Sequence, residues 1–420
     1  MKERIIAGLD IGSTAVRLVV GQRVPTDVGA KLQIIGAVSS PANGINRGVI
    51  NSIEDATSSI SACLEKAERL IGVAVSDVWI GINGPNLKCE RSRGVVAVSR
   101  SDSEINQEDV NRAIEAAQAL SVPQNYDILH VIPVEFKVDN QEFVKNPVGM
   151  TGVRLEVETL IIQNLTSQIK NLTKAIDHAG LNIEDLVFSP LAAANAVLTP
   201  KQKELGVALV NIGAATTSIA VFEEGELMHT SVLAIGSSHI TSDIAIGLRC
   251  PITLAEKVKI KFGSAKSGQF GKKDEIDISE LIVEENLNDE TAVISQKYVA
   301  EIIEARVEEI LEKVDAEFKK IDRSGMLPAG VVLIGGGARI TDMVDTAKRV
   351  LRLPVALGNN YNVATVIDKV NDLEYLTALG LVVWGDQLSI SDAGKRKLPL
   401  SQVLGQAKGT VKKFIAIFKP

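Results

Sequence analysis

The sequence predicts an α/β protein of two lobes, and three observations point there. The first is a repeat. The stretches "IIAGLDIGSTAVRLVVG" at 5–21 and "GVALVNIGAATTSIAVFEEG" at 206–225 share one plan. Each runs from an apolar strand through Asp10 or Asn211, then Ile-Gly and small or hydroxyl-bearing residues, into a second β-rich segment. The second observation is another glycine turn, Gly335-Gly336-Gly337, entered from the apolar strand Val331 to Ile334. The third is a pair of small-residue helices, "SPLAAANAVL" at 189–198 and "YLTALGLVVWG" at 375–385. Their alanines and glycines permit close crossing, as a hinge between lobes requires, although ordinary close packing explains either helix taken alone.

Taken in order, each glycine turn has a chemical reading. Glycine lets the backbone approach a ligand, and successive N–H groups in such a turn make a nest for an anion. Ser13, Thr14, Thr216 and Thr217 add hydroxyl donors. One hairpin of this kind also fits a plain β-turn; two in corresponding places weaken that explanation. After the third turn, Thr341 or Asp342 is expected to cap the next helix. The Walker A and G-x-G-x-x-G patterns are both absent.

Two segments look inserted. Residues 84–163 begin at Asn83-Gly84-Pro85 and hold the alternating "GVVAVS", a helix around 107–120, "ILHVIPVEFKV" and "GVRLEVETLII". That is a small α/β module with no glycine turn of its own. Residues 240–312 run from a helix through "KIKFGSAKSGQFGKKDE" into a charged helix at 295–320. The polar, basic stretch 386–409 reads as a linker to the end of the chain.

At 420 residues, two or more domains are expected. The net charge of −7 argues against general nucleic-acid binding. That average hides an asymmetry. From Ala393 onward there are seven Lys or Arg and no acid, so residues 1–392 carry −7 − 7 = −14. Laid on a helix, Val411, Phe414, Ile415 and Phe418 form one stripe and Lys412, Lys413 and Lys419 the opposite arc. A basic amphipathic end on an acidic body suggests a partner other than the body, and an anionic membrane surface fits it. Docking of that helix on the protein's own core is the alternative. A helix of about ten residues is marginal in water, so it would fold on contact with lipid. Each such lysine contributes about 1 kcal/mol at an anionic leaflet, so one tail binds weakly and reversibly, and only several held together would hold by avidity.

Cys63, Cys89 and Cys250 are scattered and fit a reducing cytoplasm better than a disulfide framework. The histidines never fall at metal-ligand spacing. The first residues lead directly into "IIAGLD" instead of a signal peptide, and no stretch reaches the length of a membrane span.

Together, the two hairpins, the G-G-G-A turn and the crossing helices resemble the actin, heat-shock chaperone and sugar-kinase superfamily. Within it the chain is similar to the FtsA family of bacterial cell-division proteins. That resemblance runs through "ILHVIPVEFKVDNQEFVKNPVGMTGVRLEVE", "TSDIAIGL", "AEKVKIKFG" and the terminal amphipathic segment. It implies an actin-like fold of repeated βββαβα cores that binds ATP and Mg²⁺. It further implies polymerisation with other copies, tethering of FtsZ by its C-terminal tail to the inner face of the cytoplasmic membrane at the division site, and recruitment of later division proteins. The implied organisation is lobe 1 from 1–83, 164–198 and 363–385, with the inserted subdomain at 84–163. Lobe 2 takes 199–239 and 313–362, an FtsZ-docking insertion 240–312, a linker 386–409 and a membrane helix 410–420.

By resemblance, Asp10, Gly12, Ser13 and Thr14 form the first phosphate loop, with Asp10 orienting hydrated Mg²⁺. Gly213, Ala214, Ala215 and Thr216 form the second, and Gly335, Gly336 and Gly337 the adenosine loop. Glu256 and Lys259 match a stretch that contacts ribose and base; their i, i+3 spacing puts them on one helical face, where a solvated salt bridge is the alternative. Arg306 falls where the FtsZ tail docks, with a surface ion pair to a nearby Glu as its alternative. Asn195 stands about where actin has its water-orienting glutamine. Asn211 departs from the family's Asp. An amide can hold water but cannot accept a proton, so the enzyme activity expected is at most a slow ATPase. A sugar or acid kinase of the same superfamily, or a pilus-type actin-like adaptor, is the competing function.

Overall fold

The computed structural model describes residues 5–26, 29–99, 102–119, 123–285, 292–361 and 363–392. Val411, Lys412, Lys413, Phe414, Ile415, Phe418 and Lys419, with the membrane helix they were expected to form, lie outside the described residues.

The chain opens with β1 (Ile5–Ile11), β2 (Ala15–Thr26) and β3 (Gly29–Pro41), an antiparallel meander turned by Gly12 and Ser13. The short β4 (Ile45–Asn46) and β5 (Val49–Ile50) precede α1 (Ile53–Ile71). Ser52 caps α1 by accepting from the Asp55 N–H, and Gly72 ends it in the left-handed region. The strand β6 (Asp77–Ile82) then pairs parallel with β1.

An insertion follows, comprising β7 (Lys88–Ala97), α2 (Gln107–Ala119), β8 (Tyr126–Val138), β9 (Gln141–Val144) and β10 (Arg154–Leu165). Its sheet runs in the order β7-β10-β8-β9, with α2 packed on β7 and β10 over a small core of Ile105, Ile114, Val157 and Ile161. After α3 (Thr166–His178), β11 (Asn182–Phe188) completes the first five-stranded sheet, β11-β6-β1-β2-β3. His130 of the insertion accepts the Phe188 N–H on Nε2 at 2.9 Å; burial pushes its pKa down to about 3 and keeps it a neutral acceptor.

The chain crosses to the other lobe through α4 (Ser189–Val197) and α5 (Pro200–Leu205). There β12 (Val207–Ile212), β13 (Thr217–Glu223) and β14 (Glu226–Leu233) repeat the antiparallel meander. The helices α6 (Ser237–Leu248) and α7 (Ile252–Phe262) follow, then β15 (Glu275–Asp277), α8 (Ser279–Glu284), β16 (Val293–Ser295) and the long α9 (Gln296–Lys320). Next come β17 (Val331–Ile334), α10 (Met343–Leu351) and β18 (Val355–Leu357), giving the sheet β14-β13-β12-β17-β18. The two large sheets therefore have one topology: three antiparallel strands, then two joined in parallel.

The last described helix, α11 (Leu376–Asp392), returns to lobe 1 and crosses α4. A Cβ on Gly380 would stand 2.1 Å from the Ala192 carbonyl oxygen, so only glycine permits this approach. Every residue of α4 is buried, and one continuous core runs from Ile6 and Trp79 through α4 and α11 to Phe222 and Ile334.

The structure corrects two expectations here. The helix expected at 375–385 continues through Asp392, so the linker cannot begin at 386. Its added turns are anchored: Asp386 accepts from Arg23 Nη2 at 3.1 Å, and Gln387 from Asn195. Asp342 also fails to cap α10. It sits at φ 63° with no side-chain cap, and its carboxylate accepts from Ser264 and Gln269 instead.

Candidate nucleotide cleft

A cleft of about 450 Å³ opens between the lobes, walled by the turns after β1, β12 and β17. Each β-hairpin turn closes in the same way. The Gly12 N–H donates to the Ala15 carbonyl at 3.1 Å, and the Gly213 N–H to that of Thr216 at 2.9 Å. Asp10, Gly12, Ser13 and Thr14 line one side; Asn211, Gly213, Ala214, Ala215 and Thr216 face them. Gly335, Gly336 and Gly337 close a third side. Gly335 has φ 88°, and a Cβ there would lie 2.3 Å from Asn211 Oδ1, so the turn needs glycine twice over.

Glu256 and Lys259, on α7, reach the same cleft. Lys259 is buried and donates to Glu256 at 2.6 Å and to Thr241 Oγ1 at 2.9 Å. The salt bridge and the cleft position thus occur together, with the ammonium already engaged.

Electrostatics divide the walls. Asp10 pairs in register with Arg17 across the first hairpin. Burial raises its pKa to about 6, partly opposed by Arg17, whose own Nη2 donates to Glu374 at 2.8 Å. Asn211 carries no charge and donates through Nδ2 to Thr377 Oγ1 of α11 at 3.3 Å. Among the described residues no cluster of three or more His, Cys, Asp or Glu could hold a metal. A hydrated Mg²⁺ held chiefly by ligand phosphates, with Asp10 as one carboxylate, fits this donor set, since Mg²⁺ keeps several waters and needs few protein oxygens.

Asn195 does not reach the cleft. Its Nδ2 donates to Gln387 at 3.3 Å, and its Oδ1 accepts from Lys203 at 3.1 Å. The physical reason is helical phase: the first residue of α4, Ser189, lines the cleft, whereas Asn195 lies nearly two turns on, against α5 and α11. Arg306 also lies elsewhere, on α9, where it forks onto Asp243 of α6 at 2.5 and 2.9 Å and bonds Glu309. Its ion-pair alternative is therefore realised, and with two partners.

Sequence reasoning missed Arg17, Asn83, Glu374 and Thr377, all of which line the cleft. Arg17 was within reach, because the hairpin register sets it opposite Asp10. The others come from distant segments and carry no local signal.

The comparisons with known proteins follow the same division. Residues 84–163 match the family model "SHS2 domain inserted in FTSA", and residues 208–380 match "Cell division protein FtsA". Cell division protein FtsA of Pseudomonas aeruginosa is 35% identical over 397 residues, covering 93% of each chain. That of Bacillus subtilis is 38% identical over 379 residues, 90% of this chain and 82% of its own. Among solved structures, the PilM-PilN type IV pilus biogenesis complex matches with TM-score 0.65 at 15% identity, covering 90% of this chain and 98% of that one. MreB5 of Spiroplasma citri bound to ADP gives TM-score 0.56 at 12% identity, covering 94% and 99%.

Proposed function

The chain belongs to the FtsA family of bacterial cell-division proteins, and from that premise we propose that its cleft holds Mg²⁺-ATP while the protein links FtsZ filaments to the membrane. The observation that carries the nucleotide reading is the pair of like-built glycine turns facing each other across the seam of two like-built sheets. Backbone N–H groups of both turns, with the hydroxyls of Ser13 and Thr216, supply donors for phosphate oxygens. Gly335, Gly336 and Gly337, with Glu256 and Lys259, supply the wall for the nucleoside.

Mg²⁺, when bound, offsets the phosphate charge, and Asp10 would hold it through water. Asn211 has no carboxylate to take a proton from an attacking water. Asn195 is engaged elsewhere. Hydrolysis is therefore slow or absent, and ATP acts as a ligand for conformation and polymerisation. A kinase would need a carboxylate free to receive a substrate hydroxyl. Glu256 and Glu374 are instead held by Lys259 and Arg17, and Asp10, the remaining cleft carboxylate, is given to hydrated Mg²⁺ in this reading. The pilus complex shares the fold alone at 15% identity.

In this reading the face of α6 and α9 around Arg306 docks the FtsZ tail, and residues 410–420 bind anionic lipid at the cytoplasmic face of the membrane. The inserted subdomain and both lobes then serve contacts with further copies and with later division proteins. One experiment tests the linking role: the full chain should carry an FtsZ C-terminal peptide onto anionic vesicles, and the chain lacking 408–420 should bind the peptide but leave it in solution. Arg306→Glu should lose the peptide and keep ATP, because reversing a charge at a desolvated contact typically costs about 2–5 kcal/mol. Peptide that never reaches the vesicles with the full chain would overturn the role.

A further inference from the structure

Asn83 stands at a junction that the nucleotide reading does not use. It is the first residue after β6, and the inserted domain begins at the next position, 84. It is half-buried and lines the cleft opposite the second turn. Its amide is oriented by its own chain. The Gly84 N–H donates to Asn83 Oδ1 at 3.0 Å, which turns Nδ2 toward lobe 2, where it donates to Thr216 Oγ1 at 3.5 Å. The first turn has a parallel arrangement: the Gly48 N–H donates to Ser13 Oγ at 3.3 Å.

A hydroxyl has one proton to give and two lone pairs to receive with. When an N–H donor fills a lone pair, the O–H is left to point at a different acceptor. Ionised phosphate oxygens offer only acceptors, so a hydroxyl serves them only as a donor. Gly48 sets Ser13 in that sense with a backbone N–H. Asn83 does so for Thr216 with a side chain, and from the other lobe.

We propose that Asn83 is a positioning residue that fixes the Thr216 hydroxyl as a phosphate donor and thereby ties the root of the inserted subdomain to occupancy of the cleft. The inference rests on reading the cleft as a nucleotide site. The subdomain itself also holds lobe 2, at the next hairpin of the meander: Lys145 Nζ donates to the Glu224 carbonyl at 3.1 Å and Arg91 Nη2 to that of Met228 on β14 at 3.2 Å. Lobe 2 is therefore held just before β13 by the residue that leads into the insertion, and just after it and on β14 by the insertion itself. A shift of Thr216 toward a phosphate is felt at Asn83 and, through β13, at these outer contacts.

Asn83→Asp tests this with the smallest change of shape. The variant keeps the acceptor for the Gly84 N–H but replaces the donor that faces Thr216, so the threonine O–H turns to the new carboxylate. Binding of a fluorescent ATP analogue with Mg²⁺ should weaken roughly 10–100-fold, the range for a lost hydrogen bond to a charged group. In a Thr216→Val background the same change should cost less than about threefold, because the hydroxyl it acts through is gone. Amide exchange of residues 84–97 should slow on adding Mg²⁺-ATP to the wild type and remain unchanged in Asn83→Asp. Additive losses in the double variant would mean plain charge repulsion and overturn the proposal, as would wild-type affinity in Asn83→Asp. A wild-type chain that binds no nucleotide would overturn the nucleotide reading itself, which separates the two failures.

Discussion

The turn after β1 and the turn after β12 are built alike and charged differently. Each glycine N–H closes onto the carbonyl three residues ahead, and each strand pair runs in the same antiparallel register. Asp10 and Asn211 hold the same place, one residue before the end of their strands. The residues paired with them differ as well. Asp10 faces Arg17, whereas Asn211 faces Ser218, whose buried hydroxyl has no hydrogen-bond partner among the described residues. An acid and a base on one side are matched by an amide and a hydroxyl on the other. On the proposed reading, the lesson is that backbone geometry would duplicate the grip on an anion, while the charge for a cation or a proton would be supplied once.

The largest effect should come from breaking what the turns share. A Cβ on Gly12 would lie 2.8 Å from the Ala15 oxygen, and one on Gly213 would lie 3.0 Å from that of Thr216. Gly12→Val and Gly213→Val should each weaken Mg²⁺-ATP binding by about 100-fold in calorimetry, the size of one or two lost hydrogen bonds to a charged group, since the turn must open to admit the side chain. Tolerance at one turn and not the other would mean the two are not equivalent grips.

A smaller effect should follow from making the first turn like the second. Asp10→Asn should reduce the Mg²⁺ dependence of ATP binding and raise metal-free ATP affinity, because the carboxylate that repels the phosphates is gone. It should also change stability with a definite sign. The native pKa of Asp10, about 6, lies above the usual 3.8, so its stabilising contribution is full below pH 4 and is lost as pH rises through 6. Ionised Asp10 is thus a burden at pH 7 without a cation. Asp10→Asn should then be more stable than the wild type by at most about 3 kcal/mol, an advantage that vanishes toward pH 4. Thermal melts across that range would check it. A variant less stable at pH 7 would mean Arg17 compensates the charge fully.

The smallest effect should be the stability cost of the reverse change. Asn211→Asp buries a carboxylate opposite Ser218 instead of an arginine and gives up a donor to Thr377. It should lower stability at pH 7 by about 1–3 kcal/mol, and Mg²⁺-ATP should restore part of the loss.

Much of this comparison is legible in the sequence. Glycines, hydroxyls and apolar strands sit close together in sequence, so the repeated hairpins and two helices able to cross closely could be read from local pattern, while the two sheets followed from the resemblance. What escaped depended on distance or on helical phase. Arg17 and Glu374 meet across 357 positions, and no short motif announces such a pair. Asn195 lies on the right helix but on the wrong face of it. Asp386 and Gln387 looked like linker because they are polar, yet each is spent on a specific partner, Arg23 and Asn195. Arg306 kept both of its readings open because a forked surface pair and a docking cation use the same residue type.

The central claim, that one turn carries the acid and the other only the grip, is tested most directly by phosphate release from wild type and Asn211→Asp over anionic lipid. The wild type should bind Mg²⁺-ATP and release phosphate slowly or undetectably. The variant should release it faster, within the roughly 10²–10⁴-fold that a general base provides. Brisk turnover by the wild type, or a variant slower than it, would contradict the account.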